Sequence, residues 1–157
     1  MKVKITKDNT KNLLANIAAL ASKRVYVGIP GEKSNRSGPI NNAQIGYIAE
    51  NGSPVNNIPA RPHLVPGVRD ALPAIEKALK VSAKAAMKLP GAADARLERA
   101  GMTAMMSVKS KIVSQEGFQA LAPGTIKARA RKGFKGTKAL IETGQYLNAI
   151  NYVVRDK

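Results

Sequence analysis

The chain has 157 residues with 26 Lys and Arg against 10 Asp and Glu, a net charge of +16, and neither cysteine nor tryptophan. That length fits one domain able to bury roughly two thirds of the surface its unfolded chain would expose, and the missing cysteines exclude disulfides and thiolate metal sites, as suits a reducing compartment. No apolar run has the length of a signal peptide or a bilayer crossing, so a soluble, intracellularly made protein with no membrane partner is expected.

Val3 and Ile5 alternate with Lys2, Lys4 and Thr6, the pattern of a short edge strand with one wet face. Asp8, Asn9 and Thr10 offer caps to a helix whose Leu13, Leu14, Ile17, Leu20 and Ala21 share a face, and that helix should lie across the sheet. Arg24 to Ile29 alternates again and predicts a strand near the closing strand of the chain. Residues 30–41, with two glycines, two prolines and no period, predict a long flexible surface loop. Asn42 can cap a helix through Ile45, Ile48 and Ala49 that stops at Gly52, placed for a left-handed C-cap. The prolines of Ser53 to Pro62 force an extended segment, with Arg61 its most exposed charge: either a contact to a partner or phosphate, or a plain salt bridge to Glu50 or Asp70.

Leu64 to Met87 is helical in pattern but carries Pro66 and Pro73, which predict a short or kinked entry and a longer helix after Pro73, with Ile75, Leu79 and Ala83 or Ala86 as its stripe. Pro90 and Gly91 break it. Asp94 to Gln115 is the longest unbroken helical pattern, with Leu97, Gly101, Met105, Val108 and Ile112 on one face, and is expected to be the central helix. Met102, Met105 and Met106 read as adaptable core or interface filling. Pro123 suits a first helical turn, and Thr125 to Arg131 can follow as about two turns. Lys127, Arg129, Arg131, Lys132, Lys135 and Lys138 follow one another without an acidic residue, and Gly133 and Gly136 suggest a mobile positive loop, flexible at 132–139. Thr143 can cap a turn starting at Gly144 that points Tyr146, Leu147 and Ile150 inward, and Tyr152 and Val154 continue inward at the period of a strand. The expected fold is α+β: a small, mostly antiparallel sheet of the N-terminal strand, residues 24–29 and the C-terminal strand, packed with several helices in one domain.

The order Leu-x-Pro-x-Thr-Ile, basic loop, Leu-Ile-x-Thr-Gly-x-Tyr-Leu-x-x-Ile-x-Tyr, preceded by Val25–Ile29, Ile48–Gly52 and Ile58–Pro62, resembles the tail-completion and virion-morphogenesis proteins of tailed bacteriophages. The resemblance implies a virion subunit, assembled in the host cytoplasm into a homo-oligomeric ring at the head-tail neck. Six-fold symmetry is implied, with twelve-fold as the alternative, and packaged duplex DNA would pass through the lumen. It makes Lys127, Arg129, Arg131, Lys132, Lys135 and Lys138 candidates for contact with DNA or a neighbouring ring, and Glu50, Arg61, Met102, Met105 and Met106 candidates for contact between subunits.

A field of +16 attracts polyanions, so a stand-alone basic protein that binds DNA without sequence preference is the competing reading. Neither a zinc finger, a basic zipper nor an aromatic-studded RNA-binding strand is present in the sequence. No catalytic constellation is legible either: His63, the single histidine, stands in a proline-rich turn, the carboxylates are scattered, and Gly133-x-x-Gly136 lacks the context of a phosphate loop. No enzyme activity and no cofactor are expected.

Overall fold

The computed structural model describes residues 10–86 and 92–157, so the strand expected at Val3 and Ile5, the caps Asp8 and Asn9, and the break at Pro90 and Gly91 lie outside the described residues. The fold is α+β. In chain order it runs α1 (Thr10–Ser22), β1 (Lys23–Gly28), α2 (Asn42–Asn51), α3 (Leu64–Ala86), α4 (Ala92–Ser114), α5 (Pro123–Arg131), α6 (Gln145–Ala149) and β2 (Asn151–Asp156). The two strands pair antiparallel along their whole length, from Lys23 opposite Asp156 to Gly28 opposite Asn151. A two-stranded ribbon alone is marginal in water and needs an apolar surface to lie on.

That surface is α4, a rod of about 35 Å that contacts both strands, α3 and α1. It comes close enough because small residues face the contacts. A Cβ added at Gly101 would run into the ring of Tyr152 on β2, and one added at Gly67 of α3 would lie 2.6 Å from the Cα of Val108. With Gly67 on Val108, and Ile75 and Leu79 beside Thr103 and Arg96, α3 runs antiparallel to α4. The core gathers at the far end of this pair, where Val108 and Ile112 of α4 meet Tyr146 and Ile150 around α6.

Three expectations are corrected. α4 rather than α1 covers the sheet; α1 packs on α4 and touches β1, burying Asn16 while Leu14 and Ile17 face outward. α3 is one continuous helix with Pro73 inside it and Pro66 in its first turn. Pro66 falls where an N–H has no intrahelical partner, and Pro73 removes a single bond from a helix held by its packing on α4. Of the predicted stripe, Ile75 and Leu79 are half-buried. Finally, the cap of α2 is Asn41, whose side chain accepts from the Gln44 N–H at 2.9 Å while Gln44 Oε1 accepts from the Asn41 N–H at 2.8 Å. Asn42 is buried instead, and its Nδ2 donates to the Lys33 carbonyl at 3.1 Å, pinning the loop that the sequence leaves free. The helix does end at Gly52, with φ 76° and ψ 176°, a positive φ outside the left-handed helical well.

Candidate functional site

Four separate stretches of sequence, residues 25–29, 48–52, 58–62 and 121–154, converge on one buried polar network. The carboxylate of Glu50, in the last turn of α2, accepts three backbone N–H groups at the start of α3: His63 at 2.8 Å, Leu64 at 2.9 Å and Val65 at 2.9 Å. These are the donors a helix leaves without intrahelical partners, and an anion placed there also meets the positive end of the helix dipole. Burial alone would raise the Glu50 pKa; the three N–H donors together with His63 outweigh it and hold the carboxyl below its ordinary value.

His63 is 0% exposed. Its Nδ1 lies 2.8 Å from the Arg61 carbonyl, which can only accept, so Nδ1 carries the proton and Nε2 accepts from the Tyr146 hydroxyl at 2.5 Å. Burial pushes the His63 pKa below its ordinary value despite the Arg61 carbonyl and the Glu50 charge, and burial pushes the Tyr146 phenol upward. The histidine is therefore neutral. The rings of Tyr146 and Phe118 meet it edge-on at 5.6 Å and 6.4 Å. Ile29, just after β1, completes the convergence, since a Cβ at Gly46 would meet both its Cδ1 and the Tyr146 hydroxyl at 3.1 Å. Glu50, His63 and Tyr146 have the types of a proton relay, but no substrate atom can reach a ring that is wholly covered. The arrangement fixes α2, the Pro59–Pro62 segment, α3 and α6 against one another.

Arg61 is the opposite of its expected exposure. It is 9% exposed, and its guanidinium donates to the Gln119 carbonyl at 3.0 Å and the Ala120 carbonyl at 3.5 Å, with neither Glu50 nor Asp70 as ion-pair partner. The side chain ties the extended segment to the turn after α4. Glu50 is likewise committed to the start of α3.

The basic run also needs correcting. Lys127, Arg129 and Arg131 lie on α5, and the turn that follows is tethered. Arg129 is 8% exposed; its Nη1 donates to the Lys138 carbonyl at 2.8 Å and the Gly136 carbonyl at 3.3 Å, folding the loop back over the helix. Those bonds commit its Nη1 to the loop. Lys138 donates from Nζ to the Val113 carbonyl at 2.7 Å, near the C-terminal end of α4, where a cation suits the helix dipole. Lys127, Arg131, Lys132 and Lys135 remain exposed and form the outward basic surface. Gln115, which sequence reasoning passed over, fastens the other side of the loop. Its side chain accepts from the Ala139 N–H at 2.6 Å, and its amide donates to the carbonyls of Ala139, at 3.1 Å, and Ile112.

Among the methionines, Met105 is half-buried against the core, whereas Met102 and Met106 are exposed and share an outward face of α4 with Val113. Among the described residues no three His, Cys, Asp or Glu side chains group as metal ligands, and no helix is long and apolar enough to cross a membrane. No family profile, curated protein or solved structure matches this chain.

Proposed function

We propose that the protein is a structural subunit of the head-tail neck of a tailed bacteriophage, assembling into a ring around the DNA channel and performing no chemistry. The observation that carries the reading is the convergence of the resembling blocks. Ile29, Glu50, the Arg61 carbonyl and Tyr146 belong to separate stretches of sequence, yet all meet at or beside His63. The shared pattern thus behaves as the signature of a fold, in which its polar residues hold elements together and leave no open catalytic cleft around the histidine.

Two surface features suit assembly. The outward stripe of Met102, Met106 and Val113 offers adaptable apolar area to a neighbouring copy, and Lys127, Arg131, Lys132 and Lys135 offer positive charge to DNA or to an acidic ring above or below. Electron cryo-microscopy of virion necks, with native mass spectrometry of the isolated protein, tests the reading: density for this fold in a closed ring is expected. A protein absent from the neck, or monomeric even within assembled particles, overturns it.

The exposed cations of α5 also favour a second reading, a stand-alone DNA-binding protein. It requires the isolated monomer to bind duplex DNA, with affinity falling steeply as salt rises because each neutralised phosphate releases counterions.

A further inference from the structure

Arg61 and Arg129 come from distant parts of the chain and line the same cavity of about 380 Å³. Arg61 spends donors on the Gln119 and Ala120 carbonyls and Arg129 on those of Gly136 and Lys138, and the Arg129 Nε, buried without a hydrogen-bond partner, makes only a loose ion pair. The one carboxylate in the lining, Glu142, stands 3.8 Å from that Nε, beyond hydrogen-bond reach, and among the described residues no carboxylate lies within 4.0 Å of an Arg61 nitrogen. Burial, and after it the charge of Arg129, holds the Arg61 pKa below its ordinary value, so the two cations feel each other. Arg36 lines the same cavity, and three cations against one carboxylate leave it at +2.

Such a site calls for an anion. The rest of the wall narrows the choice, because Ile40, Ile45 and Leu140 bring hydrocarbon to a space far larger than a single ion needs. A doubly charged phosphate would concentrate both charges beside Glu142, whereas a single carboxylate group brings only one to that point. We propose that this cavity binds a carboxylate carried on a short hydrocarbon stem, the acid seated between the Arg61 and Arg129 guanidiniums and the stem against Ile45 and Leu140. Guanidiniums present paired N–H donors that match the two oxygens of a carboxylate. A free dicarboxylic acid and a glutamate side chain of a polypeptide share that chemistry. The assignment does not rest on the neck-ring reading.

Calorimetric titration of the full chain with glutarate, with acetyl-Leu-Glu-Leu-Glu-Leu-amide and with inorganic phosphate tests it. A single saturable site for glutarate or the peptide is expected, and the tighter of the two identifies the source. Arg36→Gln, in a surface loop away from the buried network, should weaken binding about tenfold, the scale of one lost charge-assisted hydrogen bond. Glu142→Gln should strengthen it, because the competing carboxylate is gone, and Lys80→Gln, on the exposed surface of α3 outside the cavity, should leave it unchanged. An Arg61→Lys protein that still folds should bind less tightly than the parent. The proposal is overturned if neither carboxylate probe binds up to ~10 mM. It is equally overturned if phosphate binds in preference, or if Arg36→Gln and Glu142→Gln leave the affinity unchanged.

Discussion

Replacing Glu50 by glutamine probes the network directly, because it preserves shape while removing the charge that gathers three N–H donors. Each of those bonds has a charged acceptor, worth about 1.5–3 kcal/mol against leaving the donor unmet. The glutamine oxygen can retain one or two of them in weaker, neutral form, while the favourable placement at the start of α3 loses about 0.5–1 kcal/mol. A net loss of about 2–3 kcal/mol follows, which for a chain of this size lowers Tm by roughly 6–9 °C. The pH dependence has a defined sign. The folded carboxyl is held below its ordinary value, so its contribution is complete above the unfolded pKa, near 4.3, and fades as pH falls through the folded one. Urea titrations followed by circular dichroism at pH 7 and at steps below pH 4.5 should show the gap between parent and variant closing with acid. Equal stabilities at pH 7, or a gap that persists unchanged below both pKa values, would refute the capping role.

Tyr146→Phe should cost about 1–3 kcal/mol in the same assay, since it leaves His63 Nε2 buried without its donor. His63 is held neutral with its pKa below the ordinary value, so the unfolded chain takes up a proton first and stability should fall as pH drops below about 6.5; His63→Gln should flatten that slope between pH 7 and 5. Gly101→Ala should destabilise by about 1–3 kcal/mol because the new methyl group meets the Tyr152 ring, and pairing it with Tyr152→Ala should cost less than the two losses added. Reversing Lys127, Arg131 and Lys132 to glutamate separates the two functional readings: in the neck subunit, DNA affinity of the isolated protein stays nearly unchanged while particles show unjoined or leaking tails, whereas in a DNA-binding monomer filter or anisotropy assays lose binding altogether.

Elements whose signal is local were legible in the sequence. Pro123 starts α5, Gly52 ends α2, and the alternation of Val25 and Val27 marks a strand whose partner is the chain's last strand. What escaped depends on partners far along the chain. Arg61 reads as exposed because the prolines around it force an extended segment, with Glu50 or Asp70 as its nearest ion-pair candidates, yet its acceptors are carbonyls 58 and 59 residues away. The loop after α5 reads as mobile because glycines and cations usually mean solvent; Arg129 turns inward to the Gly136 and Lys138 carbonyls, and Gln115, just past the end of α4, holds Ala139. Pro73 reads as the point where a short or kinked entry gives way to a longer helix, because local rules count only the bond it removes and not the packing of α3 on α4. The cavity between Arg61 and Arg129 had no signal at all, since the two lie 68 positions apart and only the fold brings them together.

The buried cations Arg61 and Arg129, like the exposed Lys138, donate to main-chain carbonyls, with formal negative charges playing a small part. Dissolved ions screen the mutual repulsion of a +16 surface far more effectively than they loosen such short, sheltered contacts. Added salt should therefore make the isolated protein harder to unfold, so that surroundings crowded with counterions favour its folded form.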